Sequence, residues 1–145
     1  MYFEGYTFDT SFTLRFVKSS LDKKTNRWVP LITELYLLGE WWFHTEDEWK
    51  CRLGKLNKHG FSASEESLQA FDLANLRWRE NSRIDSVLLT DEMFKMKLKN
   101  GCQLTISCVP VEGESWVLIG KEYKIDGKEL WSIVCEGGEY FINDG

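Results

Sequence analysis

The chain has 145 residues, 43% of them apolar, 28% charged and 14% aromatic, and carries a net charge of −5. This composition excludes a disordered, collagen-like or low-complexity chain, and the length fits one domain, 1–145, able to bury roughly 68% of its unfolded surface. No apolar run exceeds four residues, too short to cross a membrane. The start, Met1-Tyr2-Phe3-Glu4, lacks the basic and apolar regions of a secretory leader, so a cytoplasmic protein is expected.

Phe8, Thr10, Phe12, Leu14 and Phe16 alternate with Asp9, Ser11, Thr13, Arg15 and Val17, the period of a strand with one buried face. The polar stretch Ser19–Arg27 reads as a hairpin loop. Trp28–Leu38 resumes apolar character, and Pro30, having no amide to donate, puts that end on a sheet edge or just ahead of the strand. Gly39 breaks the run, and Glu40-Trp41-Trp42-Phe43 reads as the next strand. Thr45-Glu46-Asp47-Glu48 reads as a turn, followed by a short strand with Trp49, Cys51 and Leu53 on one face. Ser62-Ala63-Ser64-Glu65 fits a capping box, in which a hydroxyl and a glutamate satisfy each other's backbone amides. A helix is predicted over about 64–79, with Leu68, Phe71 and Trp78 sharing its buried stripe.

Phe94, Met96 and Leu98 alternate with Lys95, Lys97 and Lys99, then Asn100-Gly101, then Cys102, Leu104, Ile106 and Cys108 alternate with polar residues. Asn-Gly tolerates positive φ at both positions, so a two-residue turn is predicted between strands at about 92–99 and 102–109, with Phe94, Met96, Leu98, Leu104 and Ile106 buried. Trp116–Ile125, Glu129–Cys135 and Tyr140–Ile142 read as further strands, separated by Asp126-Gly127 and Gly137-Gly138. The expected class is α+β and predominantly antiparallel β: a curved sheet or partly closed barrel or sandwich with one principal helix.

Charge is unevenly placed. Residues 1–110 hold 15 basic and 15 acidic residues, whereas 111–145 hold three basic residues against eight acidic ones. The four cysteines form no C-x-x-C pair, and His44 and His59 are not at ligand spacing from them, so reduced thiols and no metal are expected. No phosphate-binding glycine loop and no G-x-S-x-G elbow occurs. His44 lies near Glu46 and Asp47, but no nucleophile accompanies it. No catalytic residue, no cofactor and no enzymatic activity are therefore expected.

The chain has seven tryptophans, of which Trp41 and Trp42 are adjacent. On a strand they point to opposite faces, so one of them is exposed unless a helix covers it. A tryptophan beside carboxylates is an interface pattern, with the ring as anchor and the acids meeting Lys and Arg. The run Gly39–Trp49 and the acidic end Glu136–Asp144 give a small, acidic, aromatic-rich chain that resembles the immunity proteins bacteria pair with polymorphic toxins, in particular those of contact-dependent growth inhibition. The resemblance is one of profile and assigns no residue a role. It implies a cytoplasmic inhibitor forming a 1:1 complex with a basic toxin domain, expected to be a nuclease, without itself contacting nucleic acid or membrane. Glu46, Asp47, Glu48, Glu112, Glu114, Glu136 and Glu139 are the candidate contacts, with Trp41 or Trp42 as anchor. Two other readings stay open: a single-stranded nucleic-acid-binding module using sheet aromatics, and a small ligand-binding or enzymatic β-barrel.

Overall fold

The computed structural model describes residues 1–58, 65–108, 113–122 and 127–144. Ten antiparallel strands and two helices follow one another as β1 (Tyr2–Phe8), β2 (Phe12–Asp22), β3 (Arg27–Leu37), β4 (Trp41–Phe43), α1 (Glu46–Lys58), α2 (Glu65–Trp78), β5 (Ile84–Leu89), β6 (Met93–Leu98), β7 (Gln103–Ser107), β8 (Glu114–Glu122), β9 (Glu129–Glu136) and β10 (Glu139–Asp144). They build a six-stranded sheet, β1-β2-β3-β8-β9-β10, and a four-stranded sheet, β4-β7-β6-β5. No described helix is long and apolar enough to cross a membrane.

The predicted alternation sets the inner faces. One row crosses the large sheet as Phe8, Phe12, Leu37, Trp116, Cys135 and Tyr140. The small sheet supplies Trp41, Ile106 and Phe94 in one row, and Phe43, Leu104 and Met96 in the next. Most of these side chains are buried in one common core, together with Leu73 and Leu76 of α2. At Gly120 the large sheet needs a residue without a side chain, because a Cβ there would overlap the indole of Trp131. On one side the sheets touch: Ile84 donates its amide to Met1 O and Phe3 to Ser82 O, both at 3.0 Å. Beside β4 and β1, α2 fills the gap, with Gln69 Nε2 donating to Trp41 O at 3.0 Å and the Tyr6 hydroxyl to Ala70 O at 3.4 Å. The architecture is the expected α+β sandwich of curved antiparallel sheets, not closed into a barrel.

Several local expectations are corrected. The N-terminal alternation is two strands, broken at Asp9-Thr10-Ser11, where Asp9 N–H bonds Ser11 O. The Ser19–Arg27 stretch is mostly ladder: Asp22 pairs with Arg27, leaving a four-residue turn in which Asp22 accepts from Lys24 N and the Thr25 hydroxyl. Pro30 pairs with Ser19 on one side, and on the other the described pairing of β3 with β8 runs from Leu31 to Leu37. The strand drawn through Trp49–Leu53 is helix α1. Thr45 and Glu48 form its capping box, with Glu48 N–H donating to Thr45 Oγ1 at 3.2 Å and Thr45 N–H to Glu48 Oε2 at 3.3 Å. Among the described residues there are thus two helices rather than one.

Helix α2 lies where expected but turned over. Gln69, Leu73 and Leu76 face the core, while Phe71 and Trp78 are 61% and 87% exposed. Both stripes have helical spacing, and Gln69 enters the core because its amide has the Trp41 carbonyl to bond. In the β6–β7 hairpin the five predicted apolar residues are all buried. The turn itself spans three residues: Leu98 N–H donates to Cys102 O and Gly101 N–H to Leu98 O, with only Gly101 at positive φ, +89°. That is a tight turn closed by a glycine bulge, and Asn100 contributes Oδ1 as acceptor for Cys102 N at 3.0 Å. Glu112, His59, Pro110, Asp126, Tyr123–Ile125 and the Ser62–Ser64 part of the second capping box lie outside the described residues.

Candidate partner-binding face

The expected anchors are not at the surface. Trp41 and Trp42 are 3% and 6% exposed. Trp41 faces the core, edge-on to Phe12 and Phe43. Trp42 points the other way, on the face where α1 lies against β4 and buries its own Trp49. Both indoles are closed off, and neither tryptophan can anchor a partner on this folded surface.

Glu46, Asp47 and Glu48 are exposed in the first turn of α1. There the helix dipole favours negative charge, Glu48 closes the capping box, and Glu46 pairs with Lys50 one turn on at 2.9 Å. This run therefore has a structural reason that needs no partner. Thr45→Ala should cost about 0.5–2 kcal/mol of stability through the lost cap, read as a lower urea midpoint at unchanged slope. A change within about 0.2 kcal/mol would mean the cap is not formed in solution.

Glu114, Glu136 and Glu139 are brought together. Glu136 stands opposite Glu114 on one side and opposite Glu139 on the other. The β9–β10 turn between Glu136 and Glu139 is Gly137-Gly138, both at positive φ, which holds the two strands in tight register. Like charges placed directly opposite in a sheet destabilise it. More carboxylates lie at the same end. Gly137 N–H bonds Gly113 O; Leu38 and Gly39 both donate to Ser115 O; Ser107 donates to Glu40 O; Cys108 donates to Glu92 O. The Tyr140 hydroxyl donates to Thr90 O at 2.7 Å. These bonds tie together the segments that carry Glu40, Asp91, Glu92, Glu114, Glu136 and Glu139. A shallow groove lined by Phe8, Thr10, Glu40, Glu65 and Glu66 extends the same rim toward Asp9 and the start of α2.

Antiparallel topology explains the gathering. Alternate connections of a meander fall at the same end, so acids scattered through the sequence meet in space. None of the described segments 8–12, 37–41, 65–69, 89–93, 113–116 and 135–140 contains Lys or Arg. The connections at the opposite strand ends carry Lys23, Lys24, Arg27, Arg77, Arg79, Arg83, Lys97, Lys99 and Lys128. The acidic excess assigned by sequence to residues 111–145 is thus only part of the rim; Asp9, Glu40, Asp91 and Glu92 come from the balanced first 110 residues.

Other ionisable groups are structural. On the outer face of the large sheet Glu34 accepts from Lys121 at 2.5 Å and from the Tyr36 hydroxyl at 3.0 Å, with Arg15 3.5 Å away. Burial alone would raise the Glu34 carboxyl, but these partners outweigh it and hold it below its ordinary value. Arg52 of α1 grips Asp72 of α2 with two bonds of 2.8 and 2.9 Å. The four cysteines are free, with Cys51 exposed and the others buried. Burial, then the neighbouring Cys108, pushes the Cys135 thiol up to about 11, the wrong direction for a nucleophile. His44 is exposed at positive φ and lines two shallow grooves, of about 50 and about 170 Å³. Among the described residues no three His, Cys, Asp or Glu side chains converge as metal ligands.

No protein-family model, no curated protein and no solved structure matches this chain.

Proposed function

We propose that the chain is an immunity-type binding protein that neutralises a basic toxin domain in a 1:1 complex, docking through the acidic rim. The supporting observation is the gathering at one end of exposed carboxylates from separate segments, none of which contains a described Lys or Arg. Three of them, Glu114, Glu136 and Glu139, stand in register against one another, an arrangement that costs stability and is relieved when a cationic surface arrives. A nuclease must be basic where it holds phosphates, so an acidic partner reaches that surface with a steered on-rate and blocks it. A standard interface of about 1,600 Å² in total extends beyond the three-glutamate ladder onto Glu40, Asp91 and Glu92. In this reading the protein acts in the cytoplasm, is not an enzyme and needs no cofactor.

The test is co-expression with the variable C-terminal domain of a large secreted protein encoded immediately upstream. The expected result is a stoichiometric complex and rescue of cells from that domain. Failure to bind any such domain would overturn the proposal.

One observation favours a second reading. The two most exposed tryptophans, Trp28 and Trp78, adjoin Arg27 and the Arg77/Arg79 pair. Exposed rings among cations are the parts of a single-strand stacking platform. Oligonucleotide binding at physiological salt, lost in Trp78→Ala, would favour it.

A further inference from the structure

Strand β5 is an unguarded edge. It closes one side of the small sheet and, among the described residues, pairs beyond Ile84 with β6 alone. Val87, Leu88 and Leu89 are 49%, 57% and 47% exposed, three large apolar side chains in a row. Val87 and Leu89 pair with the buried Met96 and Phe94, so they point to the core side of the sheet. The large sheet does not reach over them: Ile142 of β10, in register with the core row Ile133, Leu118 and Leu35, is 71% exposed. Proteins blunt such edges with Lys, Pro, bulges or a covering element. From Ser86 to Leu89 there is none of these; the one bulge lies at the start, between Ile84 and Ser86. Two of the other edges are treated differently: β4 has three residues and α2 beside it, and β1 meets Arg83 and α2, while β10 exposes Phe141 and Ile142 between Glu139 and Asp144.

The free backbone groups can be assigned. Thr90 N–H bonds Met93 O, toward β6. Residues alternate along a strand, so Leu88 and Ser86 also face β6, while the N–H and C=O of Val87 and Leu89 face outward. The start of β1 occupies the edge only at Ser82–Ile84.

We propose that β5 pairs antiparallel with β5 of a second copy, on a two-fold axis through Val87, making one eight-stranded sheet. This register overlaps the whole free stretch, 85–89, and lets Val87 of each copy exchange both backbone bonds with its mate. Any other two-fold register along the edge shortens the overlap. Charge complementarity supports the same partner. Antiparallel pairing lays the acidic end of one copy beside the basic end of the other, bringing exposed Arg83 to the Asp91-Glu92 turn of the second copy. Neither Arg83 nor Asp91 has an ion-pair partner among the described residues. Glu114, Glu136 and Glu139 stay outside the contact, whereas Asp91 and Glu92 belong both to it and to the outer part of the proposed docking rim. Five residues per copy make a small interface, below about 1,200 Å² in total, and a weak dimer.

Sedimentation of the full chain from ~1 µM to ~1 mM, a range that spans weak association, should show the mass rising from 17.0 kDa toward twice that value. Because the axis sets residue 87 against itself, with Cα atoms about 5.5 Å apart, Val87→Lys and Val87→Glu should each weaken self-association at least about tenfold. Mixing the two variants should restore it as a heterodimer, which a folding defect would not permit. A wild type that stays at one copy throughout, a Val87→Lys protein that associates as the wild type does, or a mixture that stays monomeric would each overturn the proposal.

Discussion

A Trp116→Ala protein is expected to lose about 3–5 kcal/mol of unfolding free energy, the range for deleting a buried large aromatic. Trp116 is 1% exposed. It belongs to β8 of the large sheet, yet its ring centre lies 5.0 Å from Phe94 of the small sheet and 5.9 Å from Tyr140 of β10. Its Nε1 donates to the buried Cys108 Sγ at 3.3 Å. One side chain therefore joins both sheets directly beneath the acidic rim. Domains have only about 5–15 kcal/mol to lose, so the alanine protein should be largely unfolded well below the wild-type midpoint. Trp116→Phe keeps an aromatic ring and loses the indole donor, and should cost less than half as much. Urea denaturation followed by circular dichroism measures both. A loss under about 1.5 kcal/mol for alanine would show that the two sheets are not packed through this ring.

Glu136→Lys should slow association with the basic partner domain at least about tenfold at low ionic strength, since steering scales with the charge facing the partner. The same change should raise stability by roughly 0.2–1 kcal/mol, because it turns two opposed like-charge pairs, with Glu114 and with Glu139, into attractive ones. The two effects have opposite signs. A protein that binds more slowly while melting higher has lost its docking surface and kept its fold. If Glu136 were only part of a solvated face, binding would be unchanged. Stopped-flow association and thermal melting on one preparation read both.

The fold class was legible because strand alternation survives folding. Phe12, Leu14 and Phe16, and likewise Phe94, Met96 and Leu98, are buried in the order their period implies. What failed was local. Thr45-x-x-Glu48 has the same capping logic that marked the second helix, but the tryptophans around it drew a strand reading. Trp49, Leu53 and Leu56, spaced four and three apart, were the signal for α1. On α2 the aromatic stripe has the spacing of a core face, whereas a glutamine with a backbone carbonyl to bond lies inside. Residues 84–89 carry no strand signal in the sequence, because Val87-Leu88-Leu89 is apolar on both faces and shows no alternation. The acidic rim was legible only as fragments. Glu136 and Glu139 are close in sequence, but their meeting with Glu114, Glu40 and Asp91 depends on register and on which strand ends coincide.

The central claim is that this rim receives a cationic partner. The ionic-strength dependence of the association rate with the basic toxin domain proposed as its partner tests it most directly. A steered encounter should slow at least about tenfold between low salt and ~0.5 M, as charges beyond a few ångströms are screened. A rate that stays flat across that range would contradict an electrostatic docking face.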